Sequence, residues 1–130
     1  MSREPIEPGC SFQFAGRFKD DHLWFVVSDC RSNPGEVLIL NVSTWREWSD
    51  PSCILNAGDH PFVSHKSCIR YDMAATIGLD RLYAMLDAGL IILHGYASRE
   101  LMDKILDGAA QSDRLAMDYK KLLSEQGLIL

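Results

Sequence analysis

Residues 58–72, GDHPFVSHKSCIRYD, concentrate much of the chain's reactive chemistry: His60, His65, Lys66, Cys68 and Arg70. Histidine is the side chain whose charge changes most readily near neutral pH. Two of them five residues apart can share the taking and giving of a proton, while Lys66 or Arg70 balances a developing negative charge. Three residues elsewhere complete a candidate acid–base set if folding brings them to the same pocket. His22 opens an apolar run, and Ser43 and Thr44 offer hydroxyls. The plainer alternative is that His60 and His65 only cap turns, since an Asp-His-Pro turn readily uses its histidine for backbone hydrogen bonds. His94, before Gly95, reads as structural.

Two further readings concern soft ligands and aromatics. Cys53, His60, His65 and Cys68 fall at C-x6-H-x4-H-x2-C, a zinc set by residue type. The spacing matches no familiar finger, and small buried hydrophobes are the simpler reading of the cysteines, so no metal and no other cofactor is expected. Trp45 and Trp48, three apart in the polar loop STWREWSDP, and Tyr71 could stack on a base or anchor a partner; Trp24 is core. No Gly-rich phosphate loop, G-x-S-x-G or H-E-x-x-H occurs.

These side chains must be positioned by a single domain of 130 residues, long enough to bury a core. The net charge of −5 argues against a broad basic groove for nucleic acid and leaves room only for a local one. The opening MSREPIEPG has no apolar stretch of the signal-peptide kind, and no run approaches the length of a membrane span. A cytoplasmic chain with reduced thiols is expected.

A flexible arm is expected at 1–8, with Pro5 and Pro8, and a single barrel domain with C-terminal helices at 9–130. Strands are expected at 10–15, 22–28, 36–42, 52–56 and 67–71. The runs HLWFVVS and EVLILNV, joined by an Asn-Pro-Gly turn, form the central hairpin. Leu79, Leu82, Tyr83 and Leu86 then mark a helix face closed by Gly89. A strand at 90–94 follows, then a helix capped by Ser98 and ending at Gly108, and one capped by Ser112 and ending at Gly127. Strands followed by helices give an α+β fold, a small β-barrel with appended C-terminal helices.

This order resembles the PemK/MazF family of toxin endoribonucleases, whose barrel is SH3-like. HLWFVVS stands where the family has R-P-V-L-V-I-S, and LNVST (40–44) where it has a Pro-Ile-Thr-Ser motif. Residues 67–69, 82–89, 90–93 and 98–106 follow its later strand, L-x-x-x-L-x-x-G helix, short strand and helix. The order covers roughly residues 9–107. The resemblance implies metal-independent RNA cleavage, an antitoxin protein partner and a homodimer. It places the family's catalytic arginine on His22 and its catalytic hydroxyl on Ser43 or Thr44. The phosphate-stabilising charge then falls to Arg17, Arg70, Lys66 or a protonated histidine, with His65 and His60 doing the acid–base work. The competing reading is a non-catalytic SH3-like module that binds a protein through Trp45, Trp48 and Tyr71.

Overall fold

A computed structural model describes residues 5–30 and 35–130. The first four residues of the expected arm and most of the Asn-Pro-Gly turn lie outside the described residues. Among the described residues six strands form one antiparallel sheet: β1 (Cys10–Phe14), β2 (Trp24–Val26), β3 (Glu36–Thr44), β4 (Ile54–Leu55), β5 (Ser67–Gly78) and β6 (Ile91–Tyr96). Their order across the sheet is β4-β5-β3-β2-β1-β6. Helix α1 (Leu79–Asp87) sits between β5 and β6, and α2 (Arg99–Gln111) and α3 (Met117–Glu125) follow. The α+β barrel-plus-helices architecture is therefore the one the sequence indicates, with β2 and β3 at its centre.

The apolar runs of the central strands have a direct cause. Successive side chains of a strand point to opposite faces. Leu38, Leu40 and Val42 enter one core with Phe25, Ile69, Ile105 and Leu123. Val37 and Ile39 enter a second core with Phe12, Leu82 and Ile91. A strand buried on both sides has no polar face to show, so alternation disappears from its sequence.

Most boundaries shift by a residue or two, and a few differ more. β5 runs on to Gly78 instead of stopping at 71. Its pairing with β3 slips between Ile39↔Ala75 and Asn41↔Arg70, so that two steps on β3 span five on β5. That bulge bends the strand and breaks the period-two signal over 71–74. Helix α2 passes through Gly108 to Gln111, and Ser112 serves as its C-cap; α3 begins only at Met117. Ser98 does cap α2, accepting from the Leu101 N–H at 3.1 Å, a bond worth about 1 kcal/mol. The described end of the arm is packed, not loose. Ile6 is buried, its N–H donates to the Tyr83 hydroxyl at 2.8 Å, and Tyr96 Oη donates to the Pro5 carbonyl.

Candidate active site

The last two residues of β3 fix the geometry. Thr44 pairs with Ser67 and Ser43 with Cys68. This register brings the residues just before β5 beside the end of β3, where the Trp45 N–H donates to the Lys66 carbonyl at 3.1 Å. His65 is thereby set against Thr44, with Nε2 2.9 Å from Thr44 Oγ1 and Nδ1 3.3 Å from Ser64 Oγ. On the other side of β3, the Val42 N–H donates to the Leu23 carbonyl at 2.9 Å. That contact carries the preceding residue, His22, to the same strand end.

His22 Nδ1 lies 3.0 Å from the Val42 carbonyl oxygen. A carbonyl can only accept, so Nδ1 carries the hydrogen and the neutral ring keeps its lone pair on Nε2. His22, Ser43, Thr44 and His65 line one cleft of about 250 Å³. Asp21, Phe62, Ser64 and Ser67 complete its polar and aromatic wall, over Leu23, Val42 and Val63. Three segments far apart in the chain thus meet at one place. Ser43 Oγ is buried without a hydrogen-bond partner among the described residues, as is Asn41 Oδ1. Such groups cost about 1–3 kcal/mol each when left unmade, and neither atom is open to the cleft.

The other candidates lie elsewhere. Arg70 is not a cleft residue. Its guanidinium grips Asp72 through Nε at 2.8 Å and Nη2 at 2.7 Å, which occupies the fork a phosphate would need. Lys66 sits over the Trp45 ring at 4.9 Å, and Arg17 over the Phe18 ring at 4.8 Å; neither lines the cleft. Trp48 is 74% exposed on its loop. Tyr71 cannot stack on a base or partner: it is 1% exposed, and its hydroxyl donates to the Ile105 carbonyl at 2.6 Å. The cysteine–histidine set is dispersed as well. Cys53 and Cys68 are buried core residues, and among the described residues no three His, Cys, Asp or Glu side chains are grouped to hold a metal ion.

His60 belongs to the interior and not to the cleft. Its Nδ1 accepts from the Phe62 N–H at 3.0 Å, so Nε2 carries the hydrogen and donates to Ser11 Oγ at 3.0 Å. Ser11 Oγ in turn donates to the Gly95 carbonyl at 2.8 Å. The ring meets Phe25 edge-on, with centroids 5.5 Å apart. This neutral imidazole ties the 58–63 turn, which begins at Gly58 with φ +93°, to β1 and β6. Burial, then the nearby His94, lowers its pKa below the usual histidine value. A depressed histidine favours the neutral folded state, so its contribution is complete above the unfolded value of about 6.5. It fades as pH falls toward the folded value. Denaturant midpoints should therefore drop below about pH 6.5, and His60→Gln should remove that component of the slope. Asp50 and Asp72 do not blur the test. Burial raises Asp50, but hydrogen bonds from Ser112 and Ser52 outweigh it, and the Arg70 pair lowers Asp72. Both carboxyls hold on into the acid range well below that window. A midpoint that stays flat between pH 7 and 5 would remove His60 from this role.

Among the described residues no helix is long and apolar enough to cross a membrane. No protein-family model and no curated protein matches the chain. Among solved structures it is similar to an endoribonuclease in complex with its cognate antitoxin from a mycobacterial species. The identity is 17%, the match covers 81% of this chain and 91% of that one, and the TM-score is 0.55. At that identity the two share a fold, the antiparallel sheet with its packed helices.

Proposed function

We propose that this chain is the endoribonuclease of a toxin–antitoxin pair, cutting RNA with two histidines and no metal. The observation that carries the reading is the meeting of His22 and His65 across Ser43 and Thr44 in one cleft. The fold shared with an antitoxin-bound endoribonuclease supports it. His22 Nε2 takes the proton from a ribose 2′-hydroxyl as that oxygen attacks the adjacent phosphorus. The new O2′–P bond forms, the P–O5′ bond breaks, and the departing O5′ receives a proton from His65, passed directly or through Thr44. Acting as the acid, His65 donates to Thr44 Oγ1 and leaves the Thr44 proton free for a phosphate oxygen. The imidazolium takes the place of the arginine that His22 replaces. A cytoplasmic antitoxin protein and a second copy of the chain are the partners this reading calls for.

The test is direct. The purified protein, in excess chelator, should cut single-stranded RNA to leave 2′,3′-cyclic phosphate and 5′-hydroxyl ends, and its expression should arrest growth. Products with 5′-phosphate ends, or intact RNA with normal growth, would overturn the proposal. The second reading, a non-catalytic interaction module, is favoured by the exposure of Trp48. It requires a folded protein that leaves RNA uncut and loses a protein partner on Trp48→Ala.

A further inference from the structure

Resting on that reading, we propose that Phe62 is a nucleobase-stacking platform, the subsite that holds the base of an unpaired nucleotide beside the scissile phosphate. Phe62 lines the same cleft as His22 and His65 and keeps 38% of its surface open. An exposed phenylalanine on an unanchored loop would mean little. This one is held from three sides. Its N–H is fixed by His60 Nδ1, its ring leans on His94 with centroids 4.7 Å apart at 46°, and the turn is closed by Gly58 N–H to Val63 O at 3.0 Å and Val63 N–H to His60 O at 2.9 Å. His94 is itself steadied by Gln13 at 3.4 Å. It lies beside an irregularity where Cys10↔Tyr96 gives way to Phe12↔Leu93 and Gly95 takes φ +79°.

Charge strengthens the assignment. Among the described residues the cleft is lined by Asp21 and by no lysine or arginine. Phosphate contacts, which usually dominate nucleic-acid affinity, therefore have little to work with here. A fixed aromatic face supplies affinity without cations, and every base has a π-face to meet it. Binding should accordingly depend only weakly on salt.

The experiment measures binding apart from cleavage, using a short mixed-sequence single-stranded oligodeoxynucleotide, which has no 2′-hydroxyl to attack, and an abasic strand of equal length. The full chain should bind the base-bearing strand about 5- to 150-fold more tightly than the abasic one. Phe62→Leu, which keeps apolar bulk without a π-face, and Phe62→Ala should lose that preference; Phe62→Trp should keep it. Equal binding by Phe62→Leu and the parent protein, a steep salt dependence, or no binding of either strand by the parent protein would overturn the proposal. A parent protein that binds in the stated pattern yet leaves RNA intact would sink the nuclease reading and spare Phe62. RNA cleavage with unchanged KM in Phe62→Leu would do the reverse.

Discussion

RNA cleavage should fall about 10²–10⁴-fold when either His22 or His65 is replaced by alanine, while the melting temperature hardly moves. Both side chains are exposed at the end of β3, and surface substitutions away from buried features usually change stability by less than about 0.5 kcal/mol. Because the residues serve one step, the double variant should cut little more slowly than either single one. Thr44→Val tests the contact that holds His65 in place, and it should cost less than losing the imidazole itself. Wild-type cleavage by either histidine variant would end the two-histidine mechanism, whatever the fate of the fold.

The residues differ in how far their places could be read in advance. His22, Ser43, Thr44 and His65 come together because β2 and β5 flank β3, and the first of those pairings follows from two apolar runs around a turn. The second depends on β5, whose first half alternates legibly and whose second half, DMAATIG, does not. Met73, Ala74 and Ala75 favour helix by propensity; pairing with Val37, Leu38 and Ile39 overrides it through Ala75, Thr76 and Ile77. The role of His60 was hidden because His60 and His65 carry the same functional group. Only the turn's hydrogen bonds show that one ring is spent on Phe62 and Ser11 while the other faces the cleft. Tyr71, between Arg70 and Asp72, carries no local sign of burial in the sequence. Strand alternation puts it on the inward face with Ile69 and leaves Arg70 and Asp72 outside to pair with each other. Phe62 and Asp21 join the cleft with no motif to mark them; an aromatic after a proline in a histidine-bearing turn is the one signal the sequence carries for Phe62.

Gly108→Ala should lower stability by roughly 2–4 kcal/mol and the melting temperature by roughly 10 °C. A glycine inside α2 is locally unfavourable, and alanine there would recover about 1 kcal/mol of helix propensity. The neighbours decide otherwise. A Cβ at this position would stand 2.3 Å from the Tyr71 hydroxyl oxygen, 2.8 Å from the Ser52 carbonyl oxygen and 2.9 Å from Cys53 Cβ. Two of these atoms belong to the segment under α2 and the third makes the buried bond to Ile105, so the helix must move or that bond must break. Breaking it leaves a buried donor unmet, about 1–3 kcal/mol in itself. Tyr71→Phe removes the nearest obstacle. The double variant Tyr71→Phe with Gly108→Ala should therefore be more stable than the sum of the two changes by about 1 kcal/mol or more. Burial raises the thiol of Cys53 to about 11 and pushes the Tyr71 phenol up as well. Both stay neutral near pH 7, so this loss should not vary between pH 6 and 8, unlike the loss that follows protonation of His60. Strict additivity in the double variant, or a Gly108→Ala protein as stable as the parent, would mean that α2 does not approach the sheet through this glycine.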